Sequence, residues 1–85
     1  MSTAAKAKAE QAARVMADNF SDFAGEVVTA TVATLADGVA VVFRFETEAG
    51  IDRALAAHAL FGAPAPTERR PARAGLGPTI RWRFN

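Results

Sequence analysis

Between Val27 and Thr47 the chain carries two apolar, β-branched runs that meet at Asp37-Gly38. Core-type residues recur at every second position along both, the period of a strand with one buried face. Asp-Gly between such runs signals a two-residue hairpin turn, because both central residues of that turn take positive φ. With Asp37 and Gly38 as the loop, Ala36 faces Val39, Thr34 faces Val41, Val32 faces Phe43, Ala30 faces Phe45 and Val28 faces Thr47. One side then collects Val28, Ala30, Val32, Val41, Phe43 and Phe45, the expected core face. The other side pairs Thr29 with Glu46, Thr31 with Arg44, Ala33 with Val42 and Leu35 with Ala40. A one-residue slip would mix the two sets.

Upstream, Ala5, Ala9, Ala12, Ala13, Met16, Phe20 and Phe23 fall on one stripe at the helical period, which predicts a helix over 3–24. Gly25 supplies the left-handed residue that ends it. On the other side, Lys6–Glu10, Glu10–Arg14 and Arg14–Asp18 have the i,i+4 spacing of surface ion pairs. The bulky anchors all lie in the last two turns, and the first turns offer only alanine. A second helix is expected over 48–61, with Glu48 and Asp52 at the positive end of its dipole, Ile51, Leu55, His58 and Ala59 as its stripe and Gly62 beyond its end. Residues 62–78 hold all four prolines and read as a Pro/Arg-rich connection without regular structure. Thr79 to Phe84 alternates again, with Ile80, Trp82 and Phe84 facing one way and Thr79, Arg81 and Arg83 the other. The order is αββαβ: one α+β domain whose three-stranded, mostly antiparallel sheet has its helices packed on one face. The last strand is expected antiparallel to the first, at the sheet edge beside it.

Eighty-five residues make one small domain. A chain of this size buries only about two-thirds of its unfolded surface, so a homodimer or a larger partner is an expected source of stability. Cysteine is absent, which excludes disulfides and thiolate metal sites. No secretory apolar segment opens the chain, and the longest apolar run, Val39 to Phe43, is far too short to span a bilayer. The expectation is a cytoplasmic protein with no membrane partner. The formal net charge of +1 conceals an asymmetry. Residues 1–68 carry five basic and nine acidic side chains, whereas 69–85 carry Arg69, Arg70, Arg73, Arg81 and Arg83 and no acid. Such a tail meets phosphates, an acidic partner or the acidic body of its own chain.

Catalytic chemistry finds little support. His58 is the one histidine and has no His-x-x-x-His, cysteine or acidic helical cluster beside it, so it reads as a partly buried residue satisfied by a hydrogen bond. Glu46, Glu48 and Asp52 are close in sequence, but two of them open a helix, where acids are favoured by the dipole. Gly75-Leu76-Gly77-Pro78 neither follows a strand nor opens a helix, so no phosphate loop is indicated. No cofactor or metal is expected, and the chain reads as non-enzymatic. The expected function is a protein-binding module acting by occlusion, such as a small phage- or mobile-element-encoded inhibitor of the anti-defence, anti-CRISPR type. The partner-binding candidates are Arg69, Arg70, Arg73, Arg81, Arg83 and Arg44, for an acidic surface, and Leu35 and Val42, for an apolar one. The competing reading is a small nucleic-acid-binding regulator that uses the C-terminal arginines. Against it, the aromatics of the last strand share the core face and are not displayed for base stacking.

Overall fold

A computed structural model of the protein describes residues 3–62 and 65–84. The elements are α1 (Thr3–Ala24), β1 (Thr29–Leu35), β2 (Gly38–Arg44), α2 (Glu48–Leu60), β3 (Glu68–Arg70) and β4 (Thr79–Phe84). The class is α+β, with two helices and one antiparallel sheet of four strands in the order β1-β2-β4-β3. Both helices pack on one face of it: Ala13, Ala17, Phe20, Ala24, Ile51 and Ala54 share a core with Val41, Phe43, Ile80 and Trp82. Phe20 is fully buried at the centre, with ring centroids 5.0 Å from Phe43, 6.0 Å from Phe45 and 5.8 Å from Trp82.

Both helices end as expected, and α2 begins on a side-chain cap. Gly25 and Gly62 take φ of 71° and 74° beyond α1 and α2, and Gly25 N–H donates to Ser21 O at 2.9 Å. Thr47 caps α2, its hydroxyl accepting from Gly50 N–H at 2.9 Å. The buried stripe of α1 is rotated from the one the spacing predicts. Ala17 and Ala24 are buried, whereas Ala12 is exposed and Phe23 is 39% exposed. Small residues at 13, 17 and 24 let the helix lie close to its neighbours, while Phe23 stacks on Phe61 at the surface. None of the i,i+4 ion pairs of α1 closes among the described residues.

Three expectations about the sheet are corrected. First, the hairpin loop is Ala36-Asp37, since Leu35 faces Gly38, Val32 faces Val41 and Ala30 faces Phe43. Neither loop residue nor Gly38 has positive φ. The pairing has moved by two residues, which leaves every side chain on its expected face, so the apolar pattern cannot choose between the two registers. Contacts at both ends choose. Arg83 Nη2 holds the Asp37 carboxylate at 2.8 and 3.0 Å. At the open end, Glu26 Oε2 accepts from Glu46 N–H at 2.5 Å and Thr47 N–H at 2.7 Å, and Oε1 accepts from the Thr47 hydroxyl at 2.6 Å.

Second, β4 lies beside β2 and runs antiparallel to it, hence parallel to β1. This placement sets Ile80 opposite Phe43 and Trp82 opposite Val41, joining the bulkiest core residues. It also makes β2 a central strand, which its two-sided apolar run Val39 to Phe43 already signals. Third, the sheet has a fourth strand inside the Pro/Arg-rich connection: Glu68, Arg69 and Arg70 pair with Arg81, Ile80 and Thr79. Three polar residues carry no apolar period, so nothing in the pattern marks them as a strand.

Candidate functional site

The outer face of the sheet carries no helix. Register places Thr29, Thr31, Ala33 and Leu35 of β1, Ala40, Val42 and Arg44 of β2, Thr79, Arg81 and Arg83 of β4, and Glu68 and Arg70 of β3 on this side. After β3 the chain folds back over it. Arg73 and Leu76 exchange backbone hydrogen bonds at 3.0 and 2.9 Å around Ala74-Gly75, whose φ values are 52° and 77°. Two successive positive φ angles make this a primed turn, the type expected at Asp37-Gly38. Ala74 is the one non-glycine residue with positive φ among the described residues, a strained choice for an L side chain.

This turn and the β3–β4 edge enclose a concavity of about 200 Å³ on the outer face. Arg44, Arg70, Arg73 and Arg81 border it together with one acid, Glu68, and its apolar lining includes Val42 and Leu76. Arg44 Nη1 donates to Gly77 O at 2.6 Å, and Arg70 pairs with Glu68. The side chains of Arg73 and Arg81 have no hydrogen bond or ion pair among the described residues. Two guanidinium groups therefore border the concavity with their donors uncommitted, and two more are anchored there.

The other sequence candidates divide. Arg69 lies on the inner side of β3, where it donates to Asp52 at 2.9 Å and Glu48 at 3.2 Å and ties the sheet edge to α2. The Asp52 hydrogen bond, seconded by Glu48, raises the Arg69 pKa above the ordinary guanidinium value. Arg69 thus stands on the opposite side of the sheet from Arg44, Arg70 and Arg81. Arg83 is engaged by Asp37, whose pKa the Arg83 hydrogen bonds lower. Leu35 and Val42 are both half-buried, but only Val42 reaches the concavity. His58 is half-buried against Phe20 and Trp82, edge-on at 5.2 and 5.4 Å, and these ring contacts replace the expected hydrogen bond. Glu46 accepts from Val27 N–H at 3.1 Å, Glu48 and Asp52 are taken by Arg69, and no group of three metal-ligating side chains occurs among the described residues. None of the described helices is long and apolar enough to cross a membrane.

No family model, curated protein or solved structure matches the chain. The site must be read from its own chemistry. Sequence reasoning found its arginines and Val42, but missed the turn that gathers them; Gly75 and Gly77 around Leu76 were the available sign of a tight bend.

Proposed function

We propose that the protein is a non-enzymatic binding module that docks on an acidic protein surface through the outer face of its sheet. The observation that carries this reading is the concavity where four arginines stand with one carboxylate, two of them without a side-chain partner among the described residues. An acidic side chain or carboxyl terminus of a partner fits it, its oxygens meeting Arg73 and Arg81 while Val42 and Leu76 exclude water around the contact. Such a module acts stoichiometrically by covering its target, as an inhibitor of the anti-defence type would. Nucleic acid fits less well, because the outer face shows no aromatic side chain for stacking.

The test is affinity capture of an acidic partner, followed by titration with the Arg73→Glu/Arg81→Glu variant. Neither side chain has a hydrogen bond or ion pair among the described residues, so the fold is retained, with a small loss from placing a carboxylate at 81 opposite Glu68, while affinity falls at least about a hundredfold. Unaltered affinity in the variant rejects the reading. So does tighter binding of DNA or RNA than of protein, with affinity falling steeply against log salt.

A homodimer belongs to the same proposal. The β3 edge is short, charged and flanked by Pro66 and Pro71, the devices that protect an edge. β1 has none of them: Thr29–Leu35 is seven uncharged residues without proline. Antiparallel pairing of two β1 strands about Val32 opposes Thr31 with Ala33 and Thr29 with Leu35, brings no like charges together and continues the outer face across both copies. Light scattering at micromolar concentration is expected to give twice the 8.9 kDa chain mass, and Ala33→Lys to halve it. A wild-type mass of one chain sinks the dimer.

A further inference from the structure

On the opposite side of the sheet the core is incomplete. An apolar cleft of about 470 Å³ lies between the alanine-rich part of α1 and the hairpin end of the sheet. Ala9, Ala12 and Met16 form one wall and Val39, Trp82 and Phe84 the other, and His58 is the single polar residue among its lining. The gap follows from the sequence. The helix presents methyl groups at Ala9 and Ala12 where its later turns present Met16 and Phe20, so these described positions leave the cleft beside Val39 open.

Trp82 is held in its wall by core packing. Trp82 stacks on Phe20 at 5.8 Å and meets Phe43 edge-on at 5.7 Å. His58 is held edge-on against Trp82 and its ring forms no hydrogen bond among the described residues, so the ring nitrogens have donor and acceptor capacity to spare. An apolar cavity of about 150 Å³ takes up benzene. A cleft roughly three times larger, with one aromatic wall, suits two or three fused rings.

We infer that this cleft is a binding site for a small, flat aromatic molecule carrying one polar group, which His58 meets by a hydrogen bond. The site is separate from the outer face, and the Arg73→Glu/Arg81→Glu variant retains it, so the two proposals fail independently.

Naphthalene and 2-naphthol are suitable probes. Trp82 is the only tryptophan, so its indole N–H gives one assignable nuclear magnetic resonance signal from within the cleft wall. Both probes are expected to shift that signal saturably at one-to-one stoichiometry, 2-naphthol more tightly. His58→Phe keeps the ring contacts but removes the hydrogen bond. It should weaken 2-naphthol about fivefold, the value of one ordinary hydrogen bond, and leave naphthalene within about twofold. Ala12→Phe, at an exposed helical position, fills the cleft and abolishes both. The proposal is overturned if neither probe shifts the signal saturably, if the shifts survive Ala12→Phe, or if His58→Phe weakens both probes equally. A dimer that binds neither probe and dissociates in Ala12→Phe would assign the cleft to a second copy and overturn it as well.

Discussion

Gly50→Ala should destabilise the protein by about 2 kcal/mol, and in a Glu26→Ala background the same substitution should stabilise it by about 0.5–1 kcal/mol. The reversal follows from one carboxylate. Glu26 is only 8% exposed in its side chain, and it accepts from two backbone N–H groups and the Thr47 hydroxyl while Arg53 Nη2 stands 3.6 Å away. A methyl group on Gly50 would lie 2.2 Å from Glu26 Oε1. The carboxylate is the flexible partner and swings out, which leaves the N–H groups of Glu46 and Thr47 without their acceptor. Losing hydrogen bonds to a charged group costs about 1.5–3 kcal/mol, here discounted toward the lower half because Glu46 and Thr47 are exposed. Once Glu26 is gone the clash is gone too, and alanine is the better helix former by close to 1 kcal/mol. Urea unfolding of the four proteins in this cycle measures the coupling. Equal effects of Gly50→Ala in both backgrounds would refute the clamp.

The same carboxylate gives a pH signature. Burial alone would raise the Glu26 pKa, but the hydrogen bonds from Thr47 and Glu46 and the charge of Arg53 outweigh it and hold the group below its ordinary 4.5. A depressed folded-state value means the contribution is complete above about 4.5 and fades as the pH drops through the folded value. Stability of the wild type therefore declines across that acidic window, and Glu26→Ala flattens the decline.

Glu26 also shows where sequence reading stops. Caps, helix spans and the sorting of strand faces are short-range or periodic properties, and Gly25, Thr47 and the alternation over Thr79–Phe84 carry them openly. Register is different. Two pairings that differ by two residues bury the same side chains, and the choice rests on Glu26 and on Arg83–Asp37, partners 20 to 46 positions apart that no local pattern links. Gly50 was the visible trace, a residue that weakens a first helical turn unless something needs the space. The arginines behave alike: the charge asymmetry marks all five in the tail, but only the fold separates Arg69 and Arg83, spent on internal acids, from Arg73 and Arg81. The short β3 and the Ala74-Gly75 turn form because β4 offers an edge to pair with, a tertiary cause that three polar residues cannot announce.

Gly77→Ala tests whether that turn builds the outer-face site. A Cβ at Gly77 would lie 1.8 Å from the Phe45 carbonyl oxygen. Unlike Glu26, this neighbour is backbone, and it is pinned, because Phe45 N–H donates to Pro78 O at 2.9 Å and the Phe45 ring is buried in the core. The chain at 77 must move away, breaking the Phe45–Pro78 bond and the Arg44 hydrogen bond to Gly77 O together. The expected loss is about 3 kcal/mol, the upper end of the cost of overpacking, and a large share of what so small a domain possesses. Binding should suffer beyond this. Gly77 borders the concavity and leads into β4, so its displacement uncouples Arg44 and the turn bearing Arg73 from the sheet. Partner affinity measured on the folded fraction should fall about as far as in Arg73→Glu/Arg81→Glu, although no arginine has been touched. Gly75→Ala offers the contrast, since its φ of 77° strains an alanine but nothing lies within 4 Å of the added methyl. It should cost about 1 kcal/mol and preserve binding. Full partner affinity in folded Gly77→Ala would mean that the concavity is not the docking site.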